Sequence, residues 1–113
     1  MSKSKYIDKF DMHILYSIVK DVVKTNPNVH EFSERYIDRF NIPFVNQQDK
    51  ENGIRVLESD DGYILELYIT VNYGVKIPEL AWDLQVQVKN AIEKKFGITV
   101  SKVNVHVQGV SLH

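Results

Sequence analysis

Between Ile64 and Val110 the hydrophobic pattern changes period twice, and a strand, a helix and a second strand in that order satisfy it. Leu65, Leu67, Ile69, Val71 and Tyr73 are apolar, while Glu66, Thr70 and Asn72 on the other parity are polar, which predicts a half-buried strand. Tyr68 fits either face. Gly74 breaks the run, and Pro78 suits the first turn of a helix, where its missing N–H has no partner to lose. From there Ile77, Ala81, Leu84, Val88, Ala91 and Ile92 form one stripe of helical period, with Gly97 as the C-terminal cap. Alternation resumes with Val103, Val105 and Val107 on one face and Asn104, His106 and Gln108 on the other. Val100 falls on the wrong parity for that strand, so Ser101-Lys102 is expected to hold a bulge.

The remainder has to supply partners for this unit. Ile7 to Val23 reads as a helix with Ile7, Phe10, Ile14, Leu15, Ile18 and Val22 along one side and a second stripe of Met12, Tyr16, Val19 and Val23. Thr25-Asn26-Pro27-Asn28 stops it. Val29 to Phe32 is expected to form a short edge strand, and Ser33 with Glu34, Tyr36, Ile37 and Phe40 a short capped helix. Residues 41–52 read as a surface loop anchored by Phe44. Gly53 opens a strand carrying Ile54 and Val56 around Arg55, and Ser59-Asp60-Asp61-Gly62 is a hairpin signal, because Asp and Gly tolerate positive φ. The economical solution is a single α+β domain over 1–113: a two-layer sandwich in which two main helices pack on one face of a small mixed sheet.

At 113 residues without cysteine, such a chain buries roughly two thirds of its unfolded surface by packing alone. A net charge of -1 predicts no strong field toward nucleic acid. Lys89, Lys94, Lys95 and Lys102 cluster near the end of the second helix, where cations suit any helix C-terminus, and no RNP1 or GxxG motif accompanies them. No apolar run reaches the roughly 20 residues of a bilayer span, and the polar start has no signal-peptide core, so the expectation is a cytoplasmic protein without membrane insertion.

Chemistry has few places to reside. His106 beside Asn104, Gln108, Glu66 and Tyr68 is the one concentrated polar set, and Glu66 could orient the imidazole as a general base. A sheet face left uncovered by helices lacks the enclosure that catalysis needs, so a solvated or partner-binding face is the stronger reading. Histidines 13, 30, 106 and 113 have no metal-ligand spacing, and the Asp60-Asp61-Gly62 cluster lacks the other calcium ligands. No catalytic residue, cofactor or metal is therefore expected. On the second helix, Trp82 and Val86 point roughly opposite the core stripe and lie one turn apart. With Asp83, Gln87 and Lys89 around them they suit a protein-protein patch, unless Trp82 folds back onto the N-terminal segment or the 41–52 loop.

The run from Leu65 to Val110, with YGV-x-IP-E at Tyr73 to Glu79 and VNVHVQGV at Val103 to Val110, resembles the alkaline shock protein family of bacterial envelope stress response proteins. GIRV at Gly53 to Val56 matches more loosely. The N-terminal half departs from that family, whose first helix is rich in small residues where this chain has Phe10, Met12 and Tyr16. The resemblance implies a non-enzymatic adaptor or scaffold, self-associating or bound to a membrane-anchored protein partner. It also implies an alternative, a regulatory domain that takes a small metabolite or a lipid-metabolism enzyme on the open sheet face. Partner contacts would fall on Trp82, Val86, Tyr68, Asn104, His106 and Gln108.

Overall fold

A computed structural model describes residues 9–33, 50–51 and 53–112, with side chains placed for 11–33 and 53–112. Its elements are α1 (Lys9–Lys24), β1 (Val29–Phe32), β2 (Lys50–Glu51), β3 (Ile54–Ser59), β4 (Gly62–Asn72), α2 (Ile77–Phe96) and β5 (Val100–Ser111). The expected helix after Ser33, the anchor Phe44 and the histidine at 113 lie outside the described residues.

β4 is the hub of the sheet. One of its edges is taken by β5, parallel, from Tyr63 to Asn72, with α2 as the crossover that a parallel pair requires. The other edge is shared end to end. β3 pairs antiparallel with Gly62 to Leu67, and β1 pairs antiparallel with Ile69 to Val71. Tyr68 sits at the seam between them. Its N–H donates to the Gly53 carbonyl at 2.8 Å and its carbonyl accepts from the Ser33 N–H at 2.8 Å, so neither group is orphaned where one strand hands over to the next. Gly53 is required there: its φ is +90°, and a Cβ would stand 2.9 Å from the Tyr68 carbonyl oxygen and from Phe32.

The Asp60-Asp61 hairpin joins β3 to β4 as expected, with Ser59 opposite Gly62. Residues 50–51, expected as the end of a loop, instead form β2 outside β3, with Lys50 opposite Arg55. The β5 ladder shifts register at Ser101, where the parity of Val100 predicted a bulge, and again at Gln108.

Both helices cover one face. Leu65, Leu67, Ile69 and Val71 meet Ile54 and Val56 beneath Leu80, Leu84, Val88 and Ile92 of α2 and Leu15, Tyr16, Val19 and Val23 of α1. In α1 the buried residues come from both stripes, Leu15 from the first and Tyr16, Val19 and Val23 from the second, while Met12, Ile18 and Val22 lie at the margin of the core. In α2 the core row runs at strict intervals of four from Leu80. Ile77, at the first position of the helix, lies beyond the core cluster and is exposed. Tyr73 is exposed for the same kind of reason, since β4 ends at Asn72. Gly97 closes α2 in the left-handed region, its N–H donating to the Glu93 carbonyl at 2.9 Å.

Candidate functional site

The sheet face away from the helices carries the polar cluster that alternation placed there, and strand register decides its contacts. Glu66 lies opposite Asn104 and Tyr68 opposite His106 in the parallel ladder, while the hairpin sets Arg55 opposite Glu66. Asn104 Nδ2 donates to Glu66 Oε2 at 2.7 Å, and His106 Nε2 pairs with Glu66 Oε1, so one carboxylate holds two residues of β5. The Tyr68 and His106 rings stack with centroids 4.7 Å apart and planes 13° from parallel. Arg55 Nη1 donates to the Tyr68 hydroxyl at 3.4 Å.

This face is not uniformly open. Tyr68 is 5% and Arg55 2% exposed, so its centre is buried, which corrects the expectation of a wet face. The His106 side chain is 41% exposed against 13% for that of Glu66, and is the more accessible member of the pair. Gln108 and Asn104 are half-buried. Asn72, expected as part of the free face, is spent on structure: Nδ2 donates to the Pro27 carbonyl at 2.8 Å and its N–H to the Asn28 carbonyl at 3.1 Å.

Chemically, an imidazole held by a carboxylate can accept or release a proton, and a stacked ring pair can receive a flat polar group. Among the described residues, no three His, Cys, Asp or Glu side chains converge to hold a metal ion. Arg55 was the member that sequence reading missed as a site residue. Its signal was available, because a hairpin with Ser59 opposite Gly62 puts residue 55 opposite 66.

The second candidate surface lies on α2. Trp82 is 65% exposed and Val86 37%, adjacent along the helix and away from Leu80, Leu84 and Val88. Lys89, expected in the rim of this patch, turns to the end of the helix instead. Its Nζ donates to the Val100 carbonyl at 2.7 Å and pairs with Glu93 at 3.3 Å. Glu93 in turn accepts the Val100 N–H at 2.8 Å. That hydrogen bond, with help from Lys89 and against a smaller cost of burial, holds the Glu93 carboxyl below its ordinary value. Two side chains one turn apart thus satisfy both backbone groups of Val100 and fix where β5 begins.

Comparison with known proteins adds a family. Residues 2–112 match the model of the alkaline shock protein 23 family, described as having a cell envelope-related function. The chain is 39% identical over 64 residues to the uncharacterized protein YloU of Bacillus subtilis, covering 54% of this chain and 53% of that one. It is 38% identical over 66 residues to the uncharacterized protein Spy1614 of Streptococcus pyogenes, covering 56% and 54%. The match therefore spans about half the length of these curated relatives. Among solved structures, the zinc form of a MamM CTD variant superposes with a TM-score of 0.50 at 11% identity, over 91% of this chain and 90% of that one, a likeness of fold alone. No helix among the described residues is long and apolar enough to cross a membrane.

Proposed function

Since the chain belongs to the alkaline shock protein 23 family and shares its cell envelope-related function, we propose that it serves there as a non-enzymatic adaptor or scaffold working through protein-protein contacts. The observation that carries this reading is Trp82, largely exposed on the outer side of α2 beside Val86. A solvated indole next to an apolar neighbour costs free energy that a partner recovers by covering it, and tryptophan is enriched among the residues that dominate binding. The partner is a protein anchored in the membrane, which would hold this chain at the inner face of the envelope. The test replaces Trp82 with a photo-crosslinking amino acid in living bacteria. A single membrane protein captured from this position, and lost when Val86 is also changed to Ser, supports the reading. Cross-linking indistinguishable from that of a probe at Asn90, also exposed on α2, rejects it.

A second reading rests on the accessible imidazole of His106 stacked on Tyr68, which would let a small metabolite seat against this face and regulate the adaptor. A metabolite that raises the melting temperature in proportion to its concentration, and no longer does so with His106→Ala, would favour it.

A further inference from the structure

Among the described residues, β5 pairs with another strand along one edge only. β4 takes that edge from Tyr63 to Asn72, and among the described residues no strand pairs with the other. An open edge offers a row of backbone donors and acceptors to any extended chain, and proteins commonly guard such edges with charge or proline. From Val103 to Leu112 this strand has no Lys, Arg, Asp, Glu or Pro. We propose that the free edge of β5 pairs with the same strand of a second copy of this chain, antiparallel, about a two-fold axis at Val105.

The occupant follows from the symmetry of the sequence. Val103-Asn104-Val105-His106-Val107 alternates in the same way from either end. With the axis at Val105, Val103 meets the partner's Val107 and Asn104 meets the partner's His106, so apolar and polar rows both continue across the junction. An axis at His106 would set Val103 against the partner's Gly109, and one at Asn104 would set Val107 against the partner's Ser101. The Val105 register matches every valine of the run with another. The bulges at Ser101 and Gln108 bend the strand on either side and leave a regular stretch between them. Asn104 and His106 are already held by Glu66, so ordering them costs little further entropy on pairing. Both copies keep their helices on one side, and Val105 and Val107, now at the margin of the core, gain cover.

Pairing of this length is small beside the 20–30 residues a side of typical stable complexes, so a dimer exchanging with monomer at micromolar concentration is expected. The chain has no cysteine, which makes single-cysteine variants clean probes. Val105→Cys stands opposite its own copy, with Cα atoms about 4.5 to 5.5 Å apart, within disulfide reach. Val110→Cys is more exposed, yet lies roughly 33 Å from its copy at ~3.3 Å per residue. Mild oxidation should cross-link the first and spare the second; equal cross-linking of both, or of neither, overturns the proposal. Sedimentation of the unaltered chain should show mass rising from 13.1 kDa toward twice that across about 10 to 500 μM. A monomer throughout that range also overturns it. Trp82→Ala should dimerise like the unaltered chain, which separates this edge from the partner surface on α2. Loss of the dimer in that variant would move the interface to α2 and refute pairing through β5.

Discussion

The Tyr68 ring lies flat against the His106 imidazole, and the same tyrosine, through its backbone, closes the seam between β1 and β3. The residue that forms the floor of the polar cluster is thus also the residue around which the sheet changes partner. The polar cluster and the change of strand partner meet at one position, and substitutions there separate the two.

Tyr68→Ala should lower stability to urea by about 3–5 kcal/mol, as loss of a large buried aromatic side chain does. Tyr68→Phe keeps the ring and the stack but removes the hydroxyl that receives the Arg55 hydrogen bond, and should lose about 1 kcal/mol. If the two variants unfold at the same urea concentration, the ring itself contributes little.

At Asn104 the expectation concerns charge. Asn104→Asp replaces the amide donor on Glu66 Oε2 with a second carboxylate across the parallel ladder. The variant should unfold about 1 kcal/mol more easily at pH 7. A urea midpoint equal to that of the parent at pH 7 would show that this contact carries no weight.

Acid should act through Glu93. Its carboxyl is held below the ordinary value of 4.5, chiefly by the Val100 N–H, so over the interval between folded and unfolded values the unfolded chain binds more protons. The stabilisation is complete above about 4.5 and is lost as pH falls through the lowered folded value. Glu93→Gln can still accept the Val100 hydrogen bond but does not titrate. Urea midpoints measured from pH 6 to 3 should fall less steeply for that variant than for the parent.

How much of this was legible in the sequence depended on whether the pattern was local. Alternation located β4 and β5, the parity of Val100 exposed the bulge at Ser101, and Asp60-Asp61-Gly62 set the hairpin register. The polar cluster followed from strand parity. Its buried centre did not, because alternation says which face a residue takes and not what covers that face, so the face carrying Glu66 and Tyr68 read as uncovered. In α1 two apolar stripes of similar strength left open which residues reach the core, and packing selects Leu15 from one and Tyr16, Val19 and Val23 from the other. Likewise β2 lies in a polar stretch, Lys50-Glu51, with no alternation to reveal it, and exists through pairing with β3.

Gly53→Ala tests the seam itself. The new methyl would stand 2.9 Å from the Tyr68 carbonyl oxygen in a conformation, φ +90°, that alanine disfavours. Loss of more than about 1 kcal/mol is expected, above the gain that glycine-to-alanine changes bring at permissive sites. Hydrogen exchange should place the damage: the Tyr68 and Ser33 amides, which close the seam, should exchange faster, while Leu65 and Val103 in the middle of the β4–β5 ladder keep their protection. Uniform acceleration across all four amides would instead mean that Gly53 matters only to global stability, and that the handover from β3 to β1 has no local hold on the face where Tyr68 meets His106.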